Sequence, residues 1–101
     1  MAFLGSGAPE SEASVVMFGA PFDGTTSFTP GTRFGPNRIR EASIGIETYS
    51  PALDRSLDDV AICDLGDLEL PFGNAPEVLR RIEEAMRSVL ETGALPLLFG
   101  G

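Results

Sequence analysis

The sequence contains no histidine, no lysine and no tryptophan, and only one cysteine and one tyrosine. Without lysine there is no Walker-type phosphate loop, and Gly5-Ser6-Gly7 follows no strand, so it carries no dinucleotide meaning. Without histidine, Cys63 has no imidazole to activate it, and it lies in an apolar run where a buried small hydrophobe is the better account. A lone cysteine also makes no internal disulfide, which excludes a secreted disulfide framework. All seven cations are arginines against fifteen acidic residues, a net charge of −8. That balance argues against a nucleic-acid partner, which needs a basic patch, and weakly favours cationic ligands or plain solubility. The opening MAFLGSGAPESEA has no basic stretch and only a very short apolar run, unlike a signal peptide. The longest apolar run, Ala94 to Phe99, is broken by Pro96 and falls far short of a membrane span. A cytoplasmic, soluble protein is expected.

What is present reads as one domain, 43% apolar, punctuated rather than diluted by 12 glycines and 8 prolines. Residues 1–13 are small and polar and read as a flexible lead-in; residues 14–101 read as the domain. Ser14 to Gly19 is a short apolar run ended by glycine and proline, the pattern of a strand buried on both faces. Ala20 to Gly35 is a long loop carrying Pro21, Asp23-Gly24, Pro30-Gly31 and Gly35. Pro36 suits the first turn of a helix, and Ile39, Ala42, Ile46 and Tyr49 recur at helical spacing as its apolar face, ending at Ser50-Pro51. Arg38, Arg40, Glu41 and Glu47 fall off that stripe. Asp59 to Asp64 reads as a second strand. Asn74 and Glu77 form a capping-box pattern for a helix to about Thr92, with Val78, Ile82, Ala85, Met86 and Val89 inward. Glu77–Arg81, Arg80–Glu84 and Glu83–Arg87 are opposite-charge pairs on its outer side, and Gly93 is its natural stop. Ala94 to Phe99 is a third strand. Strand–helix–strand–helix–strand with long crossovers is an α/β pattern with a parallel sheet and right-handed connections.

In such a sheet, ligands bind beyond the carboxyl ends of the strands. The three exits here are Gly19…Asp23-Gly24, Asp64-Leu65-Gly66-Asp67 and Gly100-Gly101, all on one edge. Glycine and aspartate also suit such turns for conformational reasons alone. Asp64, Asp67 and Glu69 supply oxygen donors, but one short segment offers few ligands, and a structural role for them is the stronger reading. Arg33, Arg38 and Arg40 flank the helix start, where an anion could bind; pairing with Asp23, Glu41 or a neighbouring chain is preferred.

Seven ordered blocks resemble the ureohydrolases, most closely the agmatinases. They are Gly19-Ala20-Pro21-Phe22-Asp23, Pro30-Gly31-Thr32-Arg33-Phe34-Gly35-Pro36, Ile39-Arg40-Glu41, Glu47-Thr48-Tyr49-Ser50-Pro51, Leu53-Asp54-Arg55, Asp64-Leu65-Gly66-Asp67 and Leu70-Pro71-Phe72-Gly73-Asn74. One departure is Thr29, where related agmatinases commonly carry arginine before Pro-Gly. The resemblance implies the N-terminal, three-strand part of a three-layer α/β/α ureohydrolase-like domain with a mainly parallel sheet. It also implies an enzyme of polyamine biosynthesis, a cytoplasmic homo-oligomer when complete, that hydrolyses agmatine to putrescine and urea with two Mn²⁺ ions. The family's metal ligands follow a Gly-Gly pair matched by Gly100-Gly101, so no catalytic or metal-ligating residue is assigned in this chain. The 101 residues alone are expected to bind no metal and to be inactive. Asp23 and Arg33 are the candidate residues of an active-site rim. Two alternatives stay open: a non-catalytic ligand-binding or oligomer-joining module of the same fold, and an unrelated flavodoxin-like binding domain.

Overall fold

A computed structural model describes residues 1–101. The elements run β1 (Val15–Gly19), α1 (Gly35–Ser43), the short strands β2 (Tyr49–Ser50) and β3 (Arg55–Ser56), β4 (Ile62–Asp67), α2 (Ala75–Glu91) and β5 (Leu95–Phe99). Single turns of 3-10 helix sit at Glu10–Glu12, Thr32–Phe34 and Leu57–Asp59. The sheet is parallel, in the order β4-β1-β5. β1 is central, which is why four of its five residues are buried.

The α1 crossover runs from β1 out to β4 and the α2 crossover runs back from β4 past β1 to β5, and right-handed crossovers that travel in opposite directions across a sheet place their helices on opposite faces. The side chains agree. Val16 and Phe18 point to α2, joining Cys63, Val89 and Ala94 in the core, with Ala85, Met86, Leu68 and Leu98 packed around them. Residues one position along, including Met17 and Asp64, point to the α1 face, and Arg40 of α1 reaches Asp64 there. Burying a side chain such as Phe18 contributes about 1.5–3 kcal/mol, so the five-residue cluster is the main driving force. The result is a small α/β/α sandwich.

Helix α2 forms as its sequence dictates. The Asn74 side chain accepts the Glu77 N–H at 3.3 Å, and Gly93 closes the far end with φ +85°. Glu77 does not reach back to complete a capping box; its carboxylate is held by Arg80 and Arg81 instead. All three expected opposite-charge pairs on the outer face are made.

Three expectations are corrected. The second strand is Ile62–Asp67 rather than Asp59–Asp64, because Ser56 caps a 3-10 turn that takes up Asp59. The helix after Pro36 ends at Ser43, and the residues beyond it turn into the β2–β3 hairpin. Its buried face is Pro36, Arg40 and Ser43, while Ile39, Ala42 and Ile46 are exposed. A buried arginine with two carboxylate partners decides that rotation against hydrophobicity.

The lead-in makes specific contacts. Gly7 bridges Cys63 in antiparallel fashion, Ala8 N–H donates to the Ile62 carbonyl at 3.0 Å, and Asp64 N–H donates to the Ser6 carbonyl at 3.3 Å. No helix is long and apolar enough to cross a membrane.

Candidate functional site

The carboxyl ends of the three strands meet at one edge. The Phe99 carbonyl accepts the Ala20 N–H at 2.8 Å, and the Gly101 carbonyl accepts the Phe22 N–H, so the β1 and β5 exits are stitched together. Leu68 N–H donates to the Gly19 carbonyl at 2.9 Å, which joins the β4 exit to them. At this junction a side chain has no free room. A Cβ on Gly19 would overlap the Asp67 carboxylate and stand 2.9 Å from Pro36 Cβ.

Asp23 organises the long loop. Its side chain is only 2% exposed, and it accepts the Gly31 N–H at 2.7 Å, the Arg33 N–H at 3.4 Å and the Arg33 guanidinium at 3.0 Å. Burial alone would raise the Asp23 carboxyl, but these donors together hold it below the ordinary carboxylate range. Arg33 in turn lies over the rings of Phe34 and Phe72, 4.6 and 5.7 Å from their centroids. Phe72 follows β4, so this stack links the β1 loop to the β4 exit. Residues 24–30 project beyond the clasp and are exposed.

Beneath the edge, Arg40 is the largest fully buried side chain, 1% exposed. Its guanidinium grips Asp64 through Nε (2.8 Å) and Nη2 (3.0 Å), and Nη1 reaches Asp67 at 2.5 Å and Asn37 at 3.0 Å. Asp64 also accepts the N–H groups of Phe3 and Gly66. Burial works to raise Asp64, and Arg40 with the two N–H groups more than offsets it, leaving the carboxyl low. Asp64's hydrogen bonds keep Arg40 firmly charged despite its burial. The preferred pairings of Arg33 with Asp23 and Arg38 with Glu41 are present. That of Arg40 was missed in the sequence, although Pro36, Arg40 and Ser43 at spacings of four and three mark one compact helix face.

These carboxylates are therefore occupied. Asp23 serves a loop and an arginine, Asp64 and Asp67 serve Arg40, and no three His, Cys, Asp or Glu side chains converge. The residues present do not fit a two-metal centre. Cys63 is buried, and burial, with Glu10 and Asp64 nearby, pushes its thiol up and away from reactivity. Beside the edge, between the β1 and β5 exits and the start of α2, lies an apolar groove of about 410 Å³. Ala20, Phe22, Val78, Leu79, Ile82 and Leu98 line most of it. A second depression on the outer face of α2 is bounded by Arg80, Glu83, Glu84 and Arg87, side chains already paired with acidic or basic partners on that helix.

Comparison with known proteins matches this architecture. The chain is 50% identical over 98% of its length to the agmatinase of Bacillus subtilis, of which it covers 34%. Among solved structures it superposes on the agmatine ureohydrolase of Thermoplasma volcanium with a TM-score of 0.93 and 30% identity, covering 99% of this chain and 34% of that one. It superposes also on the formiminoglutamase of Trypanosoma cruzi, solved with Mn²⁺, with a TM-score of 0.81 and 25% identity, covering 97% of this chain and 34% of that one. The chain thus spans about a third of the length of the relatives it matches. Its parallel three-strand sheet is that of the ureohydrolase fold. A model of the arginase family matches residues 13–101, and with these relatives it establishes that the chain belongs to the arginase family.

Proposed function

We propose that this chain is the N-terminal scaffold and rim of an agmatinase-type hydrolase, which cleaves a C–N bond of agmatine to give putrescine and urea in polyamine biosynthesis. The observation that carries this reading is the identity to a curated agmatinase along nearly the whole chain. In such an enzyme two Mn²⁺ ions supply a metal-activated hydroxide at neutral pH. These residues do not hold them; their part is to shape the entrance. Asp23 and Arg33 brace the rim loop over the three strand exits, a role supported by their ion pair and by the stacking of Arg33 on Phe72. The net charge of −8 suits a cationic guanidino substrate and disfavours nucleic acid. The intact enzyme is read as a cytoplasmic homo-oligomer, and this chain alone as inactive and metal-free.

Two measurements test the reading. The purified 101-residue chain, its mass confirmed, is expected to release no urea from agmatine with Mn²⁺. A chimera in which it replaces the matching third of the Bacillus subtilis agmatinase is expected to release urea. A folded chimera without activity would move the assignment to a non-catalytic module of the same fold.

A further inference from the structure

The chain has seven phenylalanines, and they fall into two groups. Phe3, Phe18, Phe22 and Phe99 are buried or half-buried, as apolar rings usually are. Phe28, Phe72 and Phe34 are exposed, by 93%, 76% and 53%. All three lie in the segments that follow the carboxyl ends of strands, Phe28 and Phe34 between β1 and α1 and Phe72 between β4 and α2. The two segments touch: a Cβ on Gly24 would stand 2.6 Å from the Phe72 carbonyl oxygen and 2.7 Å from the Phe22 ring. The exposed rings of this chain are thus confined to the edge where the strand exits converge.

The structure also shows what two of these rings accept. The guanidinium carbon of Arg33 lies 4.6 Å from the centroid of Phe34 and 5.7 Å from that of Phe72. Both distances are within the reach of about 6 Å over which the negative face of a ring attracts a cation. Packing does not force Arg33 there, since its side chain is 38% exposed and has water to turn to. Asp23 pairs with that guanidinium at 3.0 Å and balances its charge, so a second cation meets a neutral pair and not a bare positive group. Each ring has two faces, and one guanidinium covers no more than one of them. Phe72 keeps most of its surface open to solvent. An apolar partner surface is the other candidate to cover such rings; the guanidinium already seated and the net charge of −8 favour a cation.

We propose that Phe34 and Phe72 form a cation-collecting surface on the rim, which takes the guanidinium of an incoming ligand on the ring faces that Arg33 leaves free. Agmatine as that ligand rests on the agmatinase reading; the chemistry of the ligand, a planar organic cation, rests on the seating of Arg33 alone. Phe72 is the principal residue, because it is the more open of the two rings and stands on a different segment from Asp23 and Arg33. The surface binds and makes no covalent change. In a hydrolase it would act on substrate capture and leave the chemical step alone, which separates a rim residue from a catalytic one.

The test titrates the 101-residue chain with agmatine and with butylguanidinium at constant ionic strength, following the ring protons of Phe34 and Phe72 by NMR. Butylurea, planar and of the same shape but neutral, is the comparison. Both cations are expected to shift the rings and to bind about two- to fivefold more tightly than butylurea, the strength of an exposed cation–ring contact. Phe72→Leu keeps an apolar side chain at an exposed position, so circular dichroism should hold while binding of the cations weakens about two- to fivefold. Phe72→Trp, with the best ring for a cation, should match or exceed the parent. Butylurea binding as well as the cations, or a Phe72→Leu chain that binds them like the parent, would overturn the proposal. In the chimera with the Bacillus subtilis agmatinase, Phe72→Leu is expected to raise KM by the same factor and leave kcat unchanged; a fall in kcat at constant KM would overturn the capture role. A chimera that releases no urea, with the titration as expected, keeps the surface and removes the agmatinase reading.

Discussion

Replacing Gly19 with alanine adds one methyl group at the most crowded point of the sheet edge. The new Cβ would overlap Asp67 Oδ1, stand 3.0 Å from Asp67 Cγ and 2.9 Å from the ring carbon of Pro36. Pro36 is buried at the start of α1 and cannot yield cheaply. Asp67 can swing outward, since its side chain is 24% exposed, but only by releasing Arg40 Nη1. Overpacking of this kind costs about 1–3 kcal/mol, and loss of a hydrogen bond to a charged buried group about 1.5–3 kcal/mol. The sum, roughly 2.5–6 kcal/mol, is a large share of the 5–15 kcal/mol or so that holds a small domain together. Urea unfolding followed by circular dichroism should show the midpoint falling by at least about 1 M. The costs at Gly19 and Asp67 should also be coupled. With Asp67 already changed to alanine, the same Gly19→Ala step should cost at least about 1 kcal/mol less, because only Pro36 is left to clash. A Gly19→Ala chain within about 0.5 kcal/mol of the parent, or strictly additive costs, would show that Gly19 is not held between Asp67 and Pro36.

Acid should unfold the chain over a defined window. The carboxyls of Asp64 and Asp23 are held below their ordinary 3.8, and Glu77, clasped by Arg80 and Arg81, is lowered from 4.5 to about 2. The unfolded chain takes up protons first as pH falls, so this stabilisation is complete above the unfolded values and drains as pH drops from 4.5 towards 2. Urea midpoints measured across that range should decline monotonically, and a rise would contradict the assignment. Asp64→Asn leaves Arg40 as a buried charge with a weakened partner and is expected to cost about 3–5 kcal/mol by thermal or urea unfolding. Asn74 caps α2 from a left-handed conformation, φ +63°; alanine there should cost about 1–3 kcal/mol and glycine distinctly less, read from the same midpoints. Asp23→Asn should loosen the clasp on Gly31 and Arg33, seen as faster limited proteolysis within residues 24–30 while the far-ultraviolet spectrum holds.

How much could be read in advance differs from element to element. β1, α2 and β5 were legible because local signals agree there: a continuous apolar run, an asparagine cap with a matching charge ladder, and a glycine stop. The convergence of the strand exits followed from parallel topology alone, and the structure shows it in the bonds from Ala20, Phe22 and Leu68. The face of α1 was not legible. Ile39, Ala42 and Ile46 outweigh Arg40 on any hydrophobic count, yet Arg40 is buried because Asp64 and Asp67 arrive from a strand that follows 24 residues later. The β2–β3 hairpin was hidden as well, since two-residue strands carry no alternation.

By itself the sequence determined the α/β alternation, the parallel sheet, the absence of nucleotide motifs and the family, all of which depend on residues near one another in the chain or on ordered motifs. What the three-dimensional packing added is that Arg40 rather than isoleucine turns inward and that Asp64 and Asp67 are engaged by it. The physical reason is the same in each case. A buried charge or a glycine contact is defined by what lies across space from it, and local periodicity carries no record of that neighbour.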